Sequence, residues 1–486
     1  MTYHSGEPLE IGAGPHLFLD DALVEDRWAL SRTVNPPYSY AGNPILIADR
    51  AWEERPYRPQ VIRDENAGGY RMYYQCFSGT NYWTHVGPSY YTAFAESEDG
   101  LNWRKPERTD TPFGNHPATN VLSIEGIERP QQIQAPWVFR DPNENDADRA
   151  YKMIFNNAGL RLAHSADGIH WKLTPLPDGR DRLFHYHSDT MNHVLWNEAL
   201  GRWMLYMRPP IFGAGVHEGP GRRHYRRRTA VSLSEDLVTW TTPRTILYPD
   251  EFDTPDFDAT HVWRLRDQYI GFITLLHEDE NATNDVMLAV SRDGFRWEKP
   301  IPCQLWLRRG QPGAFDAGCA SIGGDPIRVG WEYWFYTSGF PQPQRVFEQE
   351  GAIGLYKLMI DRFLSLNAPE PKNGLAEDYG FLLTKEFIWR GKRLVVNCAM
   401  NGGDERTFGE LKVEIVRKPD DVDPAKRMGD VAPGRTLADC DLIRANAPNM
   451  VVTWNGSDDM SQFDGQPVYL RFRLRNGKLY SFAMEA

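Results

Sequence analysis

Ser97-Glu98-Asp99-Gly100-Leu101-Asn102-Trp103 recurs as Ser165-Ala166-Asp167-Gly168-Ile169-His170-Trp171 and as Ser291-Arg292-Asp293-Gly294-Phe295-Arg296-Trp297. A further copy, Ser234-Glu235-Asp236-Leu237-Val238-Thr239-Trp240, keeps the frame without the glycine. Each copy follows an alternating stretch (TAFAES, LRLAHS, TAVSLS or MLAVS) that reads as a strand, so the phrase is a turn between two strands. Ser and Asp side chains satisfy turn amides, Gly supplies a positive φ, and Trp packs back over the hairpin. The phrase is structural punctuation rather than catalytic equipment. A degenerate copy without the Trp runs from Gly354 to Phe363, which brings the count to five.

Successive copies lie roughly 60 to 70 residues apart, room for four strands and working loops. Upstream of each stands a pair of strands, in order PQVIRDENAGGYRMYYQ, IQAPWVFRDPNENDADRAYKMIFN, MNHVLWNEALGRWMLYMR, ATHVWRLRDQYIGFITLL and GCASIGGDPIRVGWEYWFYTS. Each pair joins an apolar strand to an aromatic one through an Asp/Asn/Gly turn. The expected fold is all-β: a five-bladed β-propeller over 1–370, its N-terminal stretch running across or closing it, then a β-sandwich over 371–486. NAPEPKNGLAEDYG, between Asn367 and Leu382, reads as the linker, and RLVVNCAM, ELKVEIVR and VYLRFRLRNGKLYSFAM beyond it alternate without the repeat phrase.

Composition agrees with this class. The 486 residues include 41 Gly, 35 Pro, 16 Trp, 22 Tyr and 23 Phe, a turn-rich aromatic balance that argues against a helix bundle. A net charge of -12 argues against a nucleic-acid partner, because phosphate backbones demand positive surfaces. No run of eighteen apolar residues occurs, and MTYHSGEPLE lacks the basic and apolar regions of a signal peptide, so no membrane partner and a cytoplasmic location are expected. Cys76, Cys303, Cys319, Cys398 and Cys440 are scattered without C-x-x-C spacing and read as isolated buried thiols.

LFLDDALVED, Asn43-Pro44-Ile45-Leu46, the repeats and the terminal LRFRLRNGKLYSF together resemble the bacterial glycoside-hydrolase-like proteins related to the five-bladed propeller glycosidases. Those relatives include fructosidases, arabinanases and mannoside phosphorylases. The resemblance implies a carbohydrate substrate and cleavage of a glycosidic bond in an oligosaccharide or glycoside. The W-M-N-D-P-N-G signature of the fructosidases is absent, so fructosyl specificity does not carry over. A phosphorylase and a non-catalytic carbohydrate-binding propeller remain alternatives, and the oligomeric state, a homo-oligomer included, is left open.

A propeller gathers the starts of its innermost strands around one funnel. Those positions are Glu53, Glu54, Arg58 and Gln60; Gln132 and Gln134; His187, Asp189 and Asn192; Asp256, Asp258 and His261; and Asp316. Glycoside cleavage needs one carboxyl to protonate the leaving oxygen and one carboxylate to attack or activate water. Asp189 in HSDTMN, Asp258 in DFDATH and Asp316 in AFDAG fit that requirement, with Glu54 as a fourth acid. Arg58, Gln60, Gln134, His187, Asn192, Arg208 and His261 are expected to bind sugar hydroxyls. His185-x-His187 lacks an evident third ligand, so no metal is expected, and the absence of P-loop spacing leaves no cofactor. GRRHYRRR, residues 221–228, reads either as a solvated hairpin tip or as an anion contact near the funnel.

Overall fold

The computed structural model describes residues 7–64, 68–186, 188–210, 227–254, 256–278, 281–369, 379–403, 407–417 and 430–485. It is all-β, and it divides into two compact units, residues 37–357 and residues 1–36 with 358–486.

In the first unit all five expected strand pairs form antiparallel pairings. They begin five groups of strands. The first group is Tyr57–Asp64, Gly69–Phe77 and Tyr90–Ser97. The second is Gln134–Arg140, Tyr151–Asn156, Leu160–Ser165 and Trp171–Leu173, with Ile124–Glu125 added in parallel. The third is His193–Asn197, Arg202–Met207, Thr229–Ser234 and Arg244–Leu247. The fourth (Asp256–Leu265, Gln268–Leu276, Asn284–Ser291) and fifth (Cys319–Ile322, Glu332–Phe340, Ala352–Met359) are joined into one sheet by a single parallel bridge, Asn284 to Cys319.

The repeat phrase occupies the turn after the third strand of each of the first four groups. Asp99 Oδ1 accepts the Leu101 and Asn102 amides at 2.8 Å, and Ser97 Oγ accepts that of Gly100 at 2.9 Å. Asp167, Asp236 and Asp293 repeat the arrangement. These amides hold the Asp99 carboxyl well below the ordinary range. At Asp167 burial opposes the effect, yet the amides of His170 and Ile169 still bring the value down to about 2.

The glycine serves a second purpose. Gly100, Gly168 and Gly294 sit at φ of 74°, 76° and 78°, and their carbonyls accept hydroxyls of Tyr336, Tyr73 and Tyr206, each from a neighbouring group, at 3.0, 2.8 and 3.1 Å. A Cβ there would lie 2.6 to 2.7 Å from the tyrosine oxygen. These bonds run from the first group to the second, from the third to the fourth, and from the fifth to the first. Apolar cores follow the same neighbours: Val61, Met72 and Tyr74 pack with Trp334, Tyr336 and Ile353, Tyr73 and Phe94 with Val138 and Met153, Ile154 and Leu162 with Val194 and Trp203, and Met204 and Val231 with Val262 and Tyr269. Phe272 of the fourth group and Trp306, on the short strand Leu305–Leu307 that pairs with Asn284–Ser291, meet Phe335 of the fifth.

In the second unit two antiparallel sheets share one core. Leu366, Leu394, Val396, Leu479 and Phe482 from one face Leu382, Leu411, Val413, Ile415, Leu470 and Phe472 from the other. The N-terminal stretch, expected to cross or close the repeats, divides: up to residue 36 it gives strands to these sheets, His16–Leu17 pairing with Gly477–Glu485, Val24–Trp28 with Gly380–Thr384, and Ser31–Val34 with Leu364–Ala368, whereas Tyr38–Ser39 and Leu46–Ile47 pair with Ala352–Met359 of the fifth group. Burial of Leu9, Phe18 and Leu23 in the same core drives this placement. The expected linker correspondingly begins and ends within strands, and 370–378 lie outside the described residues. Cys303 is exposed, whereas the other four thiols are buried. Among the described residues no helix is long and apolar enough to cross a membrane.

Gly168→Ala, which must accommodate both the positive φ and the Tyr73 hydroxyl, is expected to cost about 2 kcal/mol in urea unfolding. Tyr73→Phe, which loses only the hydrogen bond, is expected to cost about 1 kcal/mol. Equal stability of Gly168→Ala and the parent chain would remove the glycine from this role.

Candidate active site

The register slips at the start of the first strand in three groups: between Tyr57 and Gln60, between Gln134 and Trp137, and between Phe257 and Ala259. A bulge bends the strand and re-aims a side chain. Arg58 and Ala135, within two of these bulges, adopt φ of 50° and 48°, unusual for residues with a Cβ. Their amides are held by Ser338 Oγ at 2.8 Å and Gln75 Oε1 at 2.5 Å. Gln75 is fully buried and also donates to the Tyr57 hydroxyl, so one amide side chain fixes two bulges.

The strand starts of the first and fourth groups line a cavity of about 460 Å³ whose lining includes Arg55, Arg58, Tyr90, Asp189, Arg227, Asp258, Glu278 and Arg345. Arg208 joins the two expected acids, its Nη1 3.7 Å from Asp189 Oδ2 and its Nη2 3.4 Å from Asp258 Oδ1. Gln134 Nε2 donates to Asp189 Oδ1 at 3.0 Å. Arg227 continues the chain of charges, 3.5 Å from Asp258 and 3.4 Å from Glu278, and Arg345 pairs with Glu278. The Asp189 side chain is 51% exposed and that of Asp258 14%, so one carboxylate is open and the other shielded. Burial pushes the Tyr57 hydroxyl up to about 12 despite Arg58 and Arg55 beside it, which keeps it a neutral donor.

The structure does not bring Asp316 and Glu54 to this cavity. Both line a larger one of about 1320 Å³, with Tyr40, Trp83, Glu350 and Tyr356; Arg55, Phe77 and Phe347 line both cavities. Asp316 is 1% exposed and accepts the Tyr356 hydroxyl at 2.6 Å. Its loop is drawn in tightly, since a Cβ at Gly310 would lie 2.2 Å from Asp316 Oδ1 and one at Gly339 would lie 2.3 Å from the Phe315 ring. The Glu54 side chain is exposed, while neighbouring Glu53 is buried against Lys105 at 2.5 Å and is structural.

Other expected sugar ligands serve the framework. Gln60 is buried and exchanges two hydrogen bonds with Val138, donating at 2.6 Å and accepting at 2.8 Å, which stitches the first group to the second. Asn192 is fully buried and donates to the Ser188 and Thr190 carbonyls. His261 is buried among Trp137, His193 and Phe272, with Nε2 2.8 Å from Asp325. His187 and residues 221–226 of the basic cluster lie outside the described residues. Among the described residues no group of three or more His, Cys, Asp or Glu is placed to hold a metal ion.

Glu278 and Arg345 were not expected at the site, and Arg227 was foreseen only as part of the basic cluster 221–228, read either as a hairpin tip or as an anion contact near the funnel. Inspecting only the starts of first strands misses them. Second strands run antiparallel and end at the same edge of each sheet, as the pairing of Asp256 with Leu276 shows, so Glu278 emerges beside Asp258. The signal was legible as an acid two residues beyond an apolar strand.

No family model matches the chain, and no curated protein matches it. Solved structures similar to it include an N-acetylgalactosamine deacetylase from F. plautii in complex with blood group B trisaccharide, at 15% identity and a TM-score of 0.42 over 69% of this chain and 97% of that one. Another comes from the GH130 family of mannoside phosphorylases, which contains glycoside hydrolases that target beta-1,2 mannosidic linkages in Candida mannan, at 13% identity and a TM-score of 0.46 over 68% and 95%. The catalytic domain of the Coprinopsis cinerea GH62 alpha-L-arabinofuranosidase gives 11% and 0.44 over 68% and 97%. The structural neighbours thus include glycoside hydrolases and phosphorylases of propeller fold.

Burial raises the Asp316 carboxyl above the ordinary aspartate value, the Tyr356 hydroxyl opposing it. The folded chain therefore holds this proton more tightly than the unfolded chain, so the contribution to stability is present at acid pH and is lost as pH rises through the raised value. Asp316→Asn still accepts from Tyr356 and carries no charge. Its melting temperature is expected to exceed the parent's at about pH 7, with the gap narrowing toward about pH 4. A gap independent of pH would show that the carboxyl is not displaced.

Proposed function

We propose that this chain is a five-bladed β-propeller with a β-sandwich that takes in its N-terminal strands, and that it cleaves glycosidic bonds at the cavity of Asp189, Asp258 and Glu278. The ring closure is supported by the apolar core and the Tyr336 to Gly100 bond shared by the fifth and first groups. The sandwich is supported by the single core beneath two sheets.

The observation that carries the activity is the Arg208 guanidinium reaching both Asp189 and Asp258, two acids from different strand groups, at the mouth of one cavity. Asp258, shielded and flanked by Arg208 and Arg227, suits the carboxylate that attacks the anomeric carbon or draws a proton from water. Asp189, open to the cavity and oriented by Gln134, is left as the carboxyl to protonate the leaving oxygen, and it must first take up a proton against the Arg208 guanidinium beside it. Glu278 positions Arg227 against Asp258. Hydrolysis is the primary reading; phosphorolysis is the second, favoured by the number of guanidiniums in the lining.

A panel of aryl glycosides and oligosaccharides, assayed with and without inorganic phosphate, tests both. Asp189→Asn and Asp258→Asn are each expected to lower kcat by roughly 10²- to 10⁴-fold with the circular dichroism spectrum unchanged. Undiminished turnover in both variants would place the chemistry elsewhere, and a strict phosphate requirement would replace hydrolysis with phosphorolysis. A chain that binds glycans but turns over no member of the panel, before or after substitution, would be a carbohydrate-binding propeller.

A further inference from the structure

Among the described residues, the cavity holds more guanidinium groups than carboxylates. Asp189, Asp258 and Glu278 are taken up by Arg208, Arg227 and Arg345. Arg55 and Arg58 also line the cavity, and neither makes an ion pair among the described residues. Arg58 Nη1 and Arg55 Nε are buried without a hydrogen-bond partner among the described residues. Leaving guanidinium nitrogens shielded and unpaired is unfavourable unless something else meets them.

Aromatic rings fix both groups. The Arg55 guanidinium lies 4.3 Å from the Phe340 ring centre and 5.5 Å from that of Phe77, and the Arg58 guanidinium lies 5.4 Å from that of Tyr57. Stacking on rings occupies the faces of a guanidinium and leaves its N–H edge for a planar, bidentate acceptor. The strained bulge at Arg58, φ 50°, holds its side chain at this cavity rather than in the sheet.

We propose that Arg55 and Arg58 form an oxyanion subsite beside Asp189 and Asp258, which takes the carboxylate of a uronic acid residue in the glycoside. Inorganic phosphate offers the same chemistry from solution. As a statement about substrate, the proposal rests on the glycoside-cleaving reading; as a statement about binding, it stands without it.

Calorimetric titration of the full chain with glucuronate, galacturonate, the matching neutral sugars and inorganic phosphate tests it, alongside Arg55→Gln, Arg58→Gln and the double variant. At least one uronate is expected to bind roughly tenfold or more tightly than its neutral sugar, and the double variant is expected to erase that preference while keeping the parent's circular dichroism. Arg58→Lys, which keeps the charge but loses the planar fork, covers the case of an unfolded double variant and is expected to lose part of the preference. Equal binding of uronate and neutral sugar, with no phosphate binding, overturns the subsite, as does a preference that survives these substitutions.

Phosphate bound through the same arginines, with turnover only in its presence, assigns the oxyanion to solution; uronides cleaved without phosphate assign it to the substrate. Arginine-dependent anion binding without turnover of any glycoside keeps the subsite and removes the glycoside-cleaving reading. Turnover of neutral glycosides without anion binding does the reverse.

Discussion

The hydrogen bond from a core tyrosine to the carbonyl of a repeat-turn glycine is the constraint on which the rest of the first unit depends. Tyr73, Tyr206 and Tyr336 are buried strand residues, and each reaches across to the turn of a neighbouring group. A buried hydroxyl needs a partner, and a turn carbonyl held by a Ser/Asp network is a fixed one. Where it occurs, the same contact sets the distance between the two adjacent groups and leaves no room for a Cβ. Glycine thus answers two demands at once, a left-handed φ and a close approach. Leu237, at φ 64° in the third group, meets the first demand at a cost in strain.

Fixed spacing between groups is what lets short side chains cooperate across them. Asp189 precedes a third-group strand and Asp258 lies within a fourth-group strand, yet a single guanidinium reaches both. An aspartate has only two rotatable bonds, so its reach is set almost wholly by the backbone beneath it. Bulges at three strand starts provide the aim, and Gln75, bonded to Tyr57 and to the Ala135 amide, couples two of them. Precision at the cavity is therefore inherited from buried amides rather than from the charged residues themselves.

Much of this was legible in the sequence, and the rest was not, for definable reasons. The turn phrase and the five strand pairs declare themselves because period-2 alternation and Asp-Gly turns are local signals. Asp189 and Asp258 meet at one cavity, as the convergence of strand starts leads one to expect. Asp316 satisfies the same rule but faces the Tyr356 hydroxyl, since the glycines at 310 and 339 let its loop fold inward, a packing choice invisible to spacing. Gln60 and His261 are polar residues near strand starts that point between groups, where Val138 and Asp325 complete their hydrogen bonds. The N-terminal strands pair with partners more than 300 residues away, which no local pattern can announce.

The charge balance of the cavity runs against that of the whole molecule. With a net charge of -12, the chain repels anions at long range, yet the described residues of its cavity lining gather four arginines against three carboxylates. Long-range repulsion is screened within about 10 Å at ordinary ionic strength, whereas a guanidinium in a walled cavity acts at contact, where screening is weak. An anionic group would thus be recognised by geometry rather than drawn in by the overall field, and its binding would respond to substitution of single arginines more than to salt. The arginines paired with Asp189, Asp258 and Glu278 hold those carboxylates in place, whereas Arg55 and Arg58 make no ion pair among the described residues, although Asp189 and Asp258 act on Arg58 through space. On the proposed reading, chemistry and recognition fall to separate members of one charged cluster, held in register by the bulged strand starts.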